Sequence, residues 1–194
     1  GRYVTTGIYN VLIGALAGDA ITDADYNVAL GYSALSTNQL GSSSVAIGSN
    51  ALATQNPATA ASMLNVAIGQ DAGTAVTTGV RNTLIGGLAG DAQTDAGSNV
   101  AIGYVALSTN TRGSDNVAVG RGTLENFNVT TATSTYNTAV GHEAGNDITT
   151  GTSNTLIGGL AGDAIQTGAG NTLLGYAAGG ATTGNNNVIV GQAG

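Results

Sequence analysis

The pentapeptide Asn-Val-Ala-Ile-Gly starts at Asn65 and again at Asn99, with close copies at Asn27 (NVALG), Asn116 (NVAVG), Asn82 and Asn154 (both NTLIG). Aligned on it, the chain holds eleven copies, starting at Asn10, Asn27, Ser44, Asn65, Asn82, Asn99, Asn116, Asn137, Asn154, Asn171 and Asn187. Successive starts lie 17, 17, 21, 17, 17, 17, 21, 17, 17 and 16 residues apart, which defines a 17-residue unit with four extra residues in 44–64 and in 116–136. A fixed short period marks a stacked architecture, in which each unit buries its apolar residues only against its neighbours. Coil one is taken to begin at Asn10, and that Asn is position 1. Residues 1–9 fall in phase as the tail of an earlier coil, so residues 1–194 read as a single repeat array and as a piece of a longer fibre.

The unit reads as strand and turn. Position 2 is Val or Thr in every copy, position 4 is Ile, Leu or Val, and position 5 is Gly. This predicts a short β-branched strand ending in a turn. Positions 2 and 4 share one face of such a strand and position 3 takes the other. Position 3 is Ala, Leu or Ile throughout, from Leu12 and Ala29 to Ile189, so both faces are apolar and both should be buried. The expectation is that a second copy of the chain covers the second face, small Ala allowing close approach.

Position 8 is Ala in nine of the ten complete coils, as expected of a tight corner, with Thr123 the exception. Gly recurs near position 15, at Gly7, Gly41, Gly79, Gly113, Gly151 and Gly168. Glycine there would supply the positive φ of a corner. No Asn-Gly pair, the commonest hairpin signal, occurs. The chain should therefore wind coil upon coil as an all-β, parallel β-roll or β-solenoid of about eleven 17-residue coils. Its position-1 amides, Asn10, Asn27, Asn65, Asn82, Asn99, Asn116, Asn137, Asn154, Asn171 and Asn187, should align into a hydrogen-bonded ladder. With a rise of about 4.8 Å per coil, the rod would be on the order of 50 Å long.

Composition excludes several functions. Thirty-two Gly, one Phe, no Trp and 8% charged residues do not describe an ordinary globular core. Lys is absent and four Arg face eleven acidic residues, so the net charge is −7 and a nucleic-acid groove is not expected. With no Cys there are no disulfides or thiolate metal sites. No apolar run reaches the ~20 residues that span a bilayer as a helix.

The units SSVAIGSNALA from Ser43 and NVAIGYVALSTNTRGSDNVAVG from Asn99 resemble the head repeats of trimeric autotransporter adhesins. Longer repeats with connectors similar to AGTAVTTGVRN, from Ala72, occur in phage tail fibres and other virion fibres. The resemblance covers essentially the whole chain. It implies a left-handed parallel β-roll, packing as a homotrimer and an extracellular place on a virion or a bacterial surface. It further implies a structural or adhesive role, with a host-cell receptor or glycan as partner. The 17-residue unit is longer than the usual adhesin head unit, and no neck or heptad stalk is present, so phage fibre and bacterial adhesin both stay open.

Little chemistry stands beside the repeat. His142 has one carboxylate neighbour, Glu143, and reads as a surface residue rather than a base or metal ligand. Asp19, Asp91 and Asp163 share one coil position but lack the dense carboxylates of a calcium solenoid, and read as solvated corners. Tyr32, Tyr104 and Tyr176 also share a position. Four coils apart, they cannot stack on one another and are expected at a subunit seam. GGLAG lacks the Lys-Ser or Lys-Thr of a phosphate loop. Asn128-Val129-Thr130 matches a glycosylation sequon, expected to be silent in a bacterial or viral product. No enzyme activity and no cofactor are expected.

The enlarged coils hold the only Pro, Pro57, and the only Phe, Phe127. Insertions in solenoids bulge outward. Gln55, Asn56, Pro57 and Ala58, with Asn126, Phe127, Asn128 and Val129, are therefore the candidate receptor-contact loops. The alternative to a fibre is a monomeric binding solenoid such as an ice-binding rod, which would need regular Thr-x-Thr ranks. The adjacent pairs Thr77-Thr78 and Thr149-Thr150 do not form such ranks. A left-handed β-helix acyltransferase would need 18-residue coils and a credible base.

Overall fold

A computed structural model describes residues 1–192. Within them the chain is all-β, a parallel β-solenoid of about eleven turns. Eleven three-residue strands, from Val11–Ile13 to Val188–Val190, form one sheet in chain order. The register is constant. Val11 pairs with Val28, Val28 with Val45, Val45 with Val66 and Val66 with Thr83. The 21-residue coils keep this register because their extra residues leave the stack elsewhere. Beside them run two short pairings, Gly41–Ser42 with Ala61–Ser62 and Gly113–Ser114 with Thr133–Ser134.

The core is a narrow lumen. Position 3 points into it: Ala29, Ala46, Leu84, Ala101, Leu156 and Leu173 are fully buried. Positions 2 and 4 point outward and stay half-buried or exposed along the whole sheet. The outward side of the sheet is therefore the one carrying positions 2 and 4, and the expectation that the small position-3 Ala residues face outward is corrected. Ala is small because the lumen is narrow.

Volume in the lumen is shared between positions 3 and 9. Where position 3 is Leu, as at Leu84 and Leu156, position 9 is Gly, as at Gly90 and Gly162. Where position 9 is Leu, as at Leu35, Leu52, Leu107 and Leu124, position 3 is Ala. Coils four and eight have neither Leu. A methyl at Gly73 would lie 2.7 Å from Leu84 Cδ1 and 3.0 Å from Leu52 Cδ2, so Leu side chains of the adjoining coils fill that space. The position-9 leucines adopt φ of 49–55°, a left-handed conformation that costs about 1–2 kcal/mol per residue. Burial of a whole Leu side chain, about 1.5–3 kcal/mol, offsets it.

Glycine has two separate reasons here. At position 5 the φ is 127–142° in every coil, and a Cβ at Gly31 would lie 2.5 Å from the carbonyl oxygen of Gly48. No side chain fits there. The position-15 glycines differ from expectation, because none of Gly7, Gly41, Gly79, Gly113, Gly151 and Gly168 has positive φ. Their constraint is contact: a Cβ at Gly7 would lie 2.5 Å from the carbonyl oxygen of Ala24 in the next coil. The positive φ values fall instead at positions 7, 9 and 17, mostly on residues with side chains, such as Asn50, Leu52 and Tyr26.

Candidate functional site

The outward face of the eleven-stranded sheet is the most extended feature of the surface. Two columns run along it, position 2 (Val28, Val45, Val100) and position 4 (Ile47, Ile68, Ile102), all half-buried. Toward the ends the same columns open further, with Val11 at 49%, Ile13 at 57% and Val190 at 72% exposure. Position 2 is Thr at Thr83, Thr138, Thr155 and Thr172, so the column that stays apolar throughout is position 4; an apolar row of this kind marks a candidate interaction site.

Tyrosines border this face on both sides. At position 17, Tyr9 and Tyr26 stack with ring centroids 5.0 Å apart and planes 15° from parallel. Both are exposed, as is Tyr136 at the same position. Their common coil position is visible in the sequence, one unit of 17 residues apart. At position 6, Tyr32, Tyr104 and Tyr176 are each 55–57% exposed. Tyr104 and Tyr176 lie beside the preceding coil at Gly87 and Gly159, where a methyl would come within 3.5 and 3.6 Å of the ring Cδ2 atoms. Position 6 also carries Arg121 and His142. Arg121 donates to Glu143 Oε1 at 2.6 Å and sits 2.8 Å from His142 Nε2, all three at the surface.

Position 1 forms a hydrogen-bonded column, interrupted only where Ser44 stands in place of Asn. Each Asn Oδ1 accepts the backbone N–H of the next position 1: Asn27 to Asn10 at 2.9 Å, Asn99 to Asn82 at 3.0 Å, Asn187 to Asn171 at 2.9 Å. In the complete 17-residue coils its Nδ2 donates to the position-15 carbonyl of its own coil, as from Asn65 to Gly79 at 2.8 Å and from Asn137 to Gly151 at 2.8 Å. Asn116 spans the enlarged coil and still reaches the N–H of Asn137 at 3.0 Å.

The candidate receptor loops are placed differently from the expectation. Gln55 is fully buried; its Oε1 accepts from Asn65 Nδ2 at 2.9 Å and lies 3.3 Å from Ser44 Oγ. It supplies the amide that Ser44 lacks in the column. Phe127 is also fully buried and Pro57 is buried, while Val129 packs against the core. The enlarged coils need larger fillers, and the only Phe and the only Met, Met63, go inward there. Asn56 and Asn128 turn their side-chain carbonyls back onto the N–H groups of Gln39 and Thr111, at 3.2 and 3.1 Å. Of the eight residues, Asn56, Ala58 and Asn126 are exposed. The outermost segments are 58–60 and 130–134, which the length of the insertion alone does not locate.

Asp91 is not a fully solvated corner. Its Oδ1 is buried without a partner, as is that of Asp163. Burial, aided by the nearby Asp71 carboxylate, holds the Asp91 carboxyl above the usual carboxylate range. Among the described residues no group of three or more His, Cys, Asp or Glu side chains is placed to hold a metal ion. No family model, curated protein or solved structure matches this chain.

Proposed function

We propose that this chain is a shaft or head segment of a homotrimeric extracellular fibre, a left-handed roll that gives rigid length to a virion or bacterial surface structure. The observation that carries the reading is the outward pair of β-branched columns, position 4 being Ile, Leu or Val in every coil and position 2 Val or Thr. Full burial of one such side chain is worth about 1.5–3 kcal/mol, and eleven coils repeat the contact. Three copies meeting along this face would bury it on a common axis. The tyrosines at positions 6 and 17 would then border the seams. Segments 58–60 and 130–134 protrude from the stack and are the places for receptor or glycan contact in the fibre.

Light scattering of the folded fragment tests the reading, with circular dichroism to establish β structure. A species near three times 18.8 kDa supports it. Ile102→Glu, which puts a charge on the outward face without touching the lumen, should shift that mass toward one chain. A folded monomer in the wild type overturns the trimer.

A further inference from the structure

The solenoid closes each coil onto the next through one repeated contact at position 13, and that contact is missing once. At seven of the ten coil-to-coil junctions, the position-13 N–H donates to the position-13 carbonyl of the next coil, as from Thr77 to Thr94 at 2.9 Å and from Thr149 to Gln166 at 2.8 Å. In three of these junctions the following two N–H groups converge on the same oxygen. Thr149, Thr150 and Gly151 all donate to Gln166 O, and the Thr149 hydroxyl joins them at 3.1 Å.

At two further junctions the acceptor is a side chain. Gln39 N–H donates to Asn56 Oδ1 and Thr111 N–H to Asn128 Oδ1, both leading into the enlarged coils. There the main chain departs toward the insertion and an Asn amide supplies the oxygen. Nine junctions thus place an amide carbonyl on the position-13 N–H.

The tenth junction has none. Coil ten, from Asn171 to Asn186, is one residue short, and the N–H groups of Gln166, Thr167 and Gly168 have no acceptor among the described residues. A cleft of about 220 Å³ opens there, lined by Ala164, Gln166, Thr167 and Thr183. Both threonines and Gln166 are exposed, so the cleft is reached from solvent.

We propose that this cleft binds the acetamido group of an N-acetylated amino sugar. The acetamido carbonyl takes the place filled by an amide oxygen at the other nine junctions, accepting from the Gln166 N–H and, as at the three convergent junctions, from those of Thr167 and Gly168. The half-buried Ala164 methyl faces the acetyl methyl. The Gln166 amide and the Thr167 and Thr183 hydroxyls are left for the sugar hydroxyls. The cleft is smaller than the ~300–1,000 Å³ of sites that enclose drug-sized ligands, so it suits one small group. None of the four Arg lies in coils nine or ten and the chain carries −7, so a neutral oxygen is favoured over a carboxylate or phosphate. One chain builds the site, and it does not rest on the trimer.

The test is an amide ¹H–¹⁵N titration of the whole fragment with N-acetylglucosamine, glucose and an N-acetylated dipeptide amide. The expected result is saturable shifts centred on Gln166, Thr167 and Gly168 with N-acetylglucosamine and none with glucose. One Thr inserted after Thr182 restores a 17-residue coil and should abolish these shifts while the remaining spectrum stays folded. No shift at 166–168, equal shifts with glucose, or shifts that persist in the insertion variant would overturn the site. A response to the dipeptide alone would overturn the sugar as its ligand.

Discussion

Asn82 Oδ1 accepts the backbone N–H of Asn99 at 3.0 Å, while Asn82 Nδ2 donates to the carbonyl of Ala96 at 2.9 Å. One buried side chain thus ties its own coil shut and joins it to the next.

Asn82→Ala leaves the Asn99 N–H and the Ala96 carbonyl buried without partners. Each orphaned group costs about 1–3 kcal/mol, so the loss should be on the order of 2–5 kcal/mol. A chemical denaturation curve reads it. A loss below about 1 kcal/mol would mean that water or a rearranged backbone satisfies both groups.

Ala101 and Leu107 share the lumen of coil six, and both are fully buried. Leu107→Gly should cost about 2–5 kcal/mol for the cavity. Ala101→Leu alone overpacks and should cost about 1–3 kcal/mol. Together they reproduce the Leu/Gly pairing of Leu84 and Gly90, so the double variant should recover most of the loss. The double-mutant cycle should show favourable coupling of roughly 1–3 kcal/mol; additive losses would refute the sharing of volume.

Phe127→Ala should act on stability, by about 3–5 kcal/mol, because the ring fills the lumen of an enlarged coil. Ala58→Asp, on the exposed segment of the other enlarged coil, should change stability by less than about 0.5 kcal/mol. Thermal melts of the two variants distinguish them. Equal and small effects would return Phe127 to the surface.

Asp91 has a folded-state pKa raised above its ordinary value of 3.8, chiefly by burial. The folded state binds the proton more tightly than the unfolded chain. The charged carboxyl therefore destabilises the fold above its folded pKa, and the penalty disappears as pH falls below 3.8. Asp91→Asn should raise the denaturation midpoint at pH 7, with the gain fading toward pH 3. A gain that is constant with pH would point to a cause other than ionisation.

The period, the strand at positions 2 to 4, the parallel stacking and the Asn column were all legible in the sequence. Each follows from local pattern: β-branched residues before an obligatory Gly, and one amide repeated every coil. The sequence also showed that the strand is apolar on both sides. Only the tertiary structure decided which side is interior, because alternation states that two faces differ without saying which encloses the smaller space. The lumen admits Ala at position 3 and sends Val and Ile outward. The insertions show the same division. Their extra length marks coils three and seven, but Gln55 and Phe127 go inward because they occupy position 12, which is buried in the 17-residue coils as well, as at Ile21, Val76, Gln93 and Ile148. The missing residue of coil ten is likewise visible as a count of 16. What it opens, three N–H groups without a carbonyl, depends on where the next coil lies in space.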